Sequence, residues 1–421
     1  MLESCLTVLT TADEIYLRLS SDQCVITGED RSKMYKAIVP CVATTPAEAC
    51  GPHTSADGIT WSRVDNSSAC RGRLASNLSD CSGSKVPTSD EQNLSVDKSA
   101  PPGSPRFLYS VKRGGKYGRA VAIATAERFD QKRWDDLGVV FQSDEEDQRL
   151  GKLEIEARLN DSSLKHPFAV PDPAVYNVDV YNMGVFKYES VYIGLPAMFH
   201  SVAPDHGNTD GFHLIKAVTS RDLRNWTWLG NRSTFIPPSR VDSGAYDLMQ
   251  MLPPSNVMVK GDELYMYYTG LKMRASQLPA AWARENPDNG GICLATIRRD
   301  GKCSSPINVC RILRSLSSCR TGFVSIVGGP GGGTVVTAPF RGPSAAQQVF
   351  VNANASVGEL RVDLLAADGG TLSTTTLRGR DAARRALGLA DGRGAAQAPG
   401  SPVRLRFTLA AGVHLYSYWV Q

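Results

Sequence analysis

Apolar residues along this chain fall in short runs broken by Gly, Pro, Asn and Asp, and helical spacing is almost absent. That pattern predicts an all-β protein. The clearest strand segments run from Lys33 to Val39, Arg106 to Val111, Val191 to Phe199 and Glu263 to Thr269. Residues 66–104, rich in Ser, Asp, Gly and Pro, read as a long loop or insertion. Residues 301–321 match neither flank and read as an inserted loop at a domain boundary. Beyond them the pattern has period two. Leu360, Val362 and Leu364 alternate with Arg361 and Asp363, and Val403, Leu405, Phe407 and Leu409 alternate with Arg404, Arg406 and Thr408. One face of each strand is then buried and the other wet, as in an antiparallel sandwich. Only residues 381–390, DAARRALGLA, read as helical.

A short signature repeats. Asp-x-x-x-Trp occurs as Asp57–Trp61, Asp130–Trp134 and Asp222–Trp226, each time after a strand-like run. A polar turn closing a hydrophobic sheet unit is the mark of a propeller blade. The Asp can hold backbone donors of the turn, and the Trp can pack between neighbouring blades.

Composition narrows the function. There are 46 basic and 42 acidic residues, a net charge of +4, without the concentrated basic face of a nucleic-acid binder. The one basic cluster, Arg378, Arg380, Arg384 and Arg385, reads as solvated surface. No run is long and apolar enough for a membrane-spanning helix, and the N-terminus is a poor signal peptide with Glu3 where positive charge belongs. Ten cysteines without CxxC spacing and seven Asn-x-Ser/Thr sequons nonetheless point to an extracellular or secretory setting with structural cysteines. No phosphate-binding loop, GxSxG elbow or HExxH motif is present, so neither a cofactor nor a metal is expected.

Taken in order, Asp90-Glu91-Gln92, ERFDQKRW ending at Trp134, DVYNMGVFKYESVYIGL from Asp179, SRDLRNW, FIP at 235–237, YDLM at 246–249 and GDELYMYYTG at 261–270 form a specific set. GFVS from Gly322, GELRVDLLAADG from Gly358 and PVRLRF from Pro402 follow. The set resembles the five-bladed β-propellers described as glycosyl hydrolase family 32 N-terminal-like, of the glycoside hydrolase family 32/43 type. Four departures stand out. The usual Asp-x-Gly-Met reads Asp247-Leu-Met-Gln, 301–321 has no counterpart, the first 50 residues match poorly, and the middle of Ser67–Pro105 is unlike the group. The resemblance implies a five-bladed β-propeller over residues 1–300, its first blade incomplete, a boundary at 301–321, and a β-sandwich over 322–421.

It also implies a carbohydrate substrate cut in an axial funnel by acids on the inner strands. Glycoside hydrolysis needs one carboxylic acid to protonate the leaving oxygen and a carboxylate to activate water or attack the anomeric carbon. By motif position the candidates are Asp90, Asp179 and Asp247. Tyr181 and Asn182, beside Asp179, would shape the sugar subsite, Trp228 would stack on a sugar face, and His200 would line the rim. Trp226 reads as blade packing, and Glu189 as a hairpin tip rather than a proton donor. No glutamate stands out as a general acid, which keeps two other readings open: a silent carbohydrate-binding propeller, and a scaffold for protein partners. With the acids in a wet funnel, Asp179→Asn is expected to abolish cleavage and leave the thermal midpoint nearly unchanged.

Overall fold

The computed structural model describes residues 24–26, 31–33, 35–39, 51–57, 60–64, 70–71, 87–88, 92–131, 134–203, 211–261, 263–274, 288–299, 308–309, 325–341, 348–387 and 401–420. Asp90 lies outside them. The chain divides into two compact units. One comprises Met1–Met258, Met266–Ala295 and Asn308–Leu316, and the other Val259–Tyr265, Thr296–Ile307 and Ser317–Gln421.

Four sheets succeed one another along the chain. The first joins β1 (Cys24–Ile26), β2 (Tyr35–Val39), β3 (Gly51–Ser55) and β4 (Ser62–Arg63). A parallel pair, β5 (Cys70–Arg71) and β6 (Pro87–Thr88), comes next. The second sheet joins β7 (Gln92–Val96), β8 (Phe107–Gly115), β9 (Gly118–Ala126) and β10 (Asp135–Phe141). After helix α1 (Glu145–Leu159) the third joins β11 (Asn177–Tyr188), β12 (Val191–Ser201), β14 (Val218–Ser220) and β15 (Trp226–Trp228), with β13 (Gly211–Ile215) also on β12. The fourth joins β16 (Gln250–Leu252), β18 (Glu263–Leu271), β19 (Gly290–Arg298) and β20 (Asn308–Val309), with β17 (Met258–Lys260) on β18. The sheets pack in chain order: β1 on β7, β7 to β9 on β11, and β13 on β16. Successive antiparallel sheets packed in this way are the blades of a β-propeller.

The Asp-x-x-x-Trp signature marks the same place in three blades, the turn from third strand to fourth. In the first, Ser55 donates to Asp57 Oδ1 at 2.9 Å and Thr60 N–H to the same oxygen at 2.8 Å. In the third, Ser220 donates to Asp222 Oδ1 at 3.0 Å and Asn225 N–H at 2.7 Å. The tryptophans pack between blades: Trp134 joins Ile38 and Tyr109, and Trp226 joins Leu108 and Met198. Polar ties reinforce the inner strands. Ser95 and Ser110 donate to the carbonyls of Val185 and Met183. Asn93 is bonded by Asn182 at 3.1 Å and itself donates to Ser255 at 3.1 Å.

Gly184 on β11 faces the backbone of Pro254 with no room for a side chain. A Cβ there would lie 1.9 Å from the Pro254 carbonyl oxygen. Gly184→Ala is therefore expected to lower stability by about 2 kcal/mol or more through overpacking. Urea denaturation checks this, with Gly114→Ala on β8, which meets nothing within 4 Å, as the control.

Within the second unit, the strands from 326 to 420 form a β-sandwich. One sheet orders β21 (Ile326–Val327), β29 (His414–Val420), β24 (Val349–Asn354) and β27 (Asp381–Leu387). The other orders β22 (Gly333–Val336), β28 (Pro402–Leu409), β25 (Glu359–Leu365) and β26 (Thr371–Arg378), with β23 (Phe340–Arg341) on β28. Val351 and Leu415 from the first meet Val362, Leu405 and Phe407 from the second in one core.

Three expectations are overturned. Residues 381–387 are a strand, because pairing with β24 overrides the helix propensity of Ala, Arg and Leu. Residues 92–96, inside the expected 66–104 loop, are the buried strand β7, whose polar Gln92, Asn93 and Ser95 concealed it. A helix stands at 145–159, where few apolar residues reveal one. Its start is held by a capping box: Asp147 N–H donates to Asp144 Oδ1 at 3.0 Å and Asp144 N–H to Asp147 Oδ2 at 3.1 Å. Gly151 lets it lie on β11, since a Cβ there would meet Val178 Cγ2 at 2.1 Å.

Candidate functional site

Asp179 opens the inner strand β11. Across the third blade its register partners are Phe199 on β12 and then His213 on β13. Residues paired across strands share a face, so these three side chains form one row. The row is almost wholly buried: Asp179 is 3 % exposed and His213 0 %. Asp179 is no acid in a wet funnel. Its Oδ2 accepts the Arg119 backbone N–H at 3.1 Å and the Arg119 Nε–H at 2.8 Å. Its Oδ1 has no hydrogen-bond partner.

Aromatic and cationic side chains close around the row. Arg119 lies 4.6 Å from the Tyr181 ring centre and 4.8 Å from that of Phe199. Arg274 lies 5.3 Å and 4.2 Å from the same rings. The His213 ring meets Tyr181 edge-on at 4.7 Å. Neither His213 ring nitrogen has a hydrogen-bond partner. Burial, and then the charges of Arg274 and Arg119, push His213 well below the usual histidine range, so the imidazole is neutral. A buried polar group left without a partner costs about 1–3 kcal/mol.

Asp247 belongs to the segment leading into β16. The His213 backbone N–H donates to Met249 O at 2.9 Å, which ties β13 to that segment. Asp247 is fully buried and accepts the Tyr268 hydroxyl at 2.6 Å. Burial, followed by the Asp247 charge and hydrogen bond, pushes the Tyr268 hydroxyl well above its usual range and keeps it a donor. Gly270 makes room, since a Cβ there would lie 2.8 Å from Asp247 N.

The other expected site residues divide. Tyr181, half-buried, belongs to the Asp179 cluster, and Asn182 is buried beside it, with its Oδ1 unpartnered. Trp228 sits on the outermost strand, against Phe141 at 5.3 Å and under Arg232 at 4.9 Å. Glu189 is exposed in the β11–β12 turn with φ 51°. His200 neighbours Phe199, but successive side chains leave a strand on opposite faces, and His200 turns toward α1. There Glu154 accepts from His200 Nε2 at 2.8 Å and from the fully buried Lys216 Nζ at 2.8 Å. Arg119, His213, Tyr268, Arg274 and this triad carry no motif of their own. Of these, Tyr268 lay within a segment singled out from the sequence, and His200 was expected at the rim. Among the described residues no three His, Cys, Asp or Glu side chains gather as a metal site.

No family model matches the sequence, and no curated protein matches it. Solved structures do. A glycoside hydrolase family 43 arabinoxylan arabinofuranohydrolase from Bacillus subtilis matches over 92% of both chains, at 12% identity and TM-score 0.27. An α-L-arabinanase from Cellvibrio cellulosa matches 65% of this chain and 91% of its own, at 10% identity and TM-score 0.26. A member of the GH130 family of mannoside phosphorylases matches over 68% of both, at 14% identity and TM-score 0.34. Cys293, on β19, is disulfide-bonded. The other nine cysteines lie outside the residues whose side chains are described. No described helix is long and apolar enough to cross a membrane.

Proposed function

We propose that this protein is a glycoside hydrolase-like propeller acting on an oligo- or polysaccharide at the inner strands of its blades. Asp179 and Asp247 are the acidic pair and Asp90 the third acid, on a propeller of five blades. One observation carries the reading: Asp179 Oδ1, Asn182 Oδ1 and both His213 nitrogens are buried without partners around one inner strand, beside the half-buried Tyr181. Buried polar groups are normally hydrogen-bonded, and a hydroxyl-rich ligand against an aromatic ring would supply what is missing. The disulfide at Cys293 suits an extracellular setting. A second reading, a binding propeller that does not cleave, is favoured by the ion pair that already occupies Asp179 Oδ2.

Incubation with arabinan, xylan and mannan, following both affinity and reducing-end release, tests these readings. Release by the wild type, lost about 100-fold or more in Asp247→Asn, is the expected result. Binding without release selects the second reading. Neither binding nor release removes both.

A further inference from the structure

We propose that His213 and Asp179 together form a subsite for the hydroxyls of an uncharged sugar ring. The proposal rests on the carbohydrate reading above and names its substrate class. The two side chains stand in one register row, with Phe199 between them. A neutral imidazole offers one donor and one acceptor, and the buried Asp179 Oδ1 offers a further acceptor. Both His213 nitrogens and that oxygen are unpartnered. A hydroxyl donates and accepts at once, so hydroxyls on opposite sides of a sugar ring match a set whose members stand two strands, about 10 Å, apart. A carboxylate or phosphate would bring only acceptors.

An anionic sugar would set its carboxylate against Asp179 Oδ1, which can only accept, and a desolvated pair of like charges is costly. Tyr181 is the half-buried member of an otherwise buried cluster and packs edge-on against His213. Ligand entry therefore displaces the Tyr181 ring.

The test uses the full chain and calorimetric titration with methyl glycosides of xylose, arabinose, mannose and glucose, and of glucuronic and galacturonic acid. The wild type should bind at least one neutral glycoside and prefer it to the uronates. His213→Leu should weaken that binding about tenfold or more, and His213→Gln, which keeps a donor and an acceptor, should weaken it less. Without ligand, His213→Leu should melt about 2 °C or more above wild type, because it removes a buried ring with no partners. A purely structural histidine would give the opposite shift. His213→Leu binding within about twofold of wild type, a lower melting point, or a preference for uronates would overturn the proposal. A wild type that binds none of the glycosides would instead remove the carbohydrate reading, and this proposal with it.

Discussion

Replacing Glu154 by glutamine is expected to cost about 3–5 kcal/mol at neutral pH, because it leaves Lys216 buried without its counter-charge. Lys216 is 1 % exposed, and its ammonium meets Glu154 Oε1 at 2.8 Å. The loss should appear as a lower urea midpoint with an unchanged slope. Glu154→Gln combined with Lys216→Met should recover at least half of it, since no lysine charge is then buried and the Gln can still bond His200. If the single variant loses less than about 1 kcal/mol, the triad is not holding α1 to the blade. The same carboxylate sets an acid limb. Burial pushes Glu154 upward, but the hydrogen bond and charge of His200 and the charge of Lys216 outweigh it and hold the group at about 2, against an ordinary 4.5. A folded-state value below the unfolded one means stabilisation that is fully present above about pH 4.5 and lost as pH falls toward 2. The wild type should lose on the order of 3 kcal/mol across that window, and Glu154→Gln should show no such loss from this group.

Asp179→Asn is the second large effect. Arg119 and Asp179 are both buried, and their contact at 2.8 Å is an ion pair. Removing one charge leaves the other desolvated, at about 3 kcal/mol or more. The thermal midpoint should therefore fall, contrary to what an acid in a wet funnel would give. Any loss of carbohydrate activity in Asp179→Asn must then be read at a temperature where the variant is folded. The pair of replacements Asp179→Leu with Arg119→Met should return the midpoint near or above wild type, because buried ion pairs seldom outperform apolar packing. A midpoint within about 1 °C of wild type in Asp179→Asn would show that solvent reaches the carboxylate after all.

The misread segments share a cause. α1 buries few apolar side chains and is held by its capping box and by Arg232, which grips Asp144 at 2.7 and 2.8 Å. Hydrophobic periodicity is blind to such a helix. β7 places Gln92, Asn93 and Ser95 in the interior because their partners come from other parts of the chain: Ile38 O, Ser255 and Val185 O. No local pattern carries that information. The site divides in the same way. The proposed acids Asp179 and Asp247 were singled out because a motif surrounds each, Asp179 near the start of β11 and Asp247 just before β16. His213 and Arg274 were not, because nothing near them in sequence says that they meet Tyr181.

What the sequence determined by itself was local and periodic. Period-two alternation specified the sandwich strands, and the recurring Asp-x-x-x-Trp specified the turn into the last strand of three blades, because turn chemistry and strand burial are decided within a few residues. What the tertiary structure alone decided was which charges are buried together. Arg119 reaches Asp179 from 60 residues away and Glu154 reaches His200 from 46. Such pairings follow from how blades pack, and the cost of an uncompensated buried charge then fixes the state of each group.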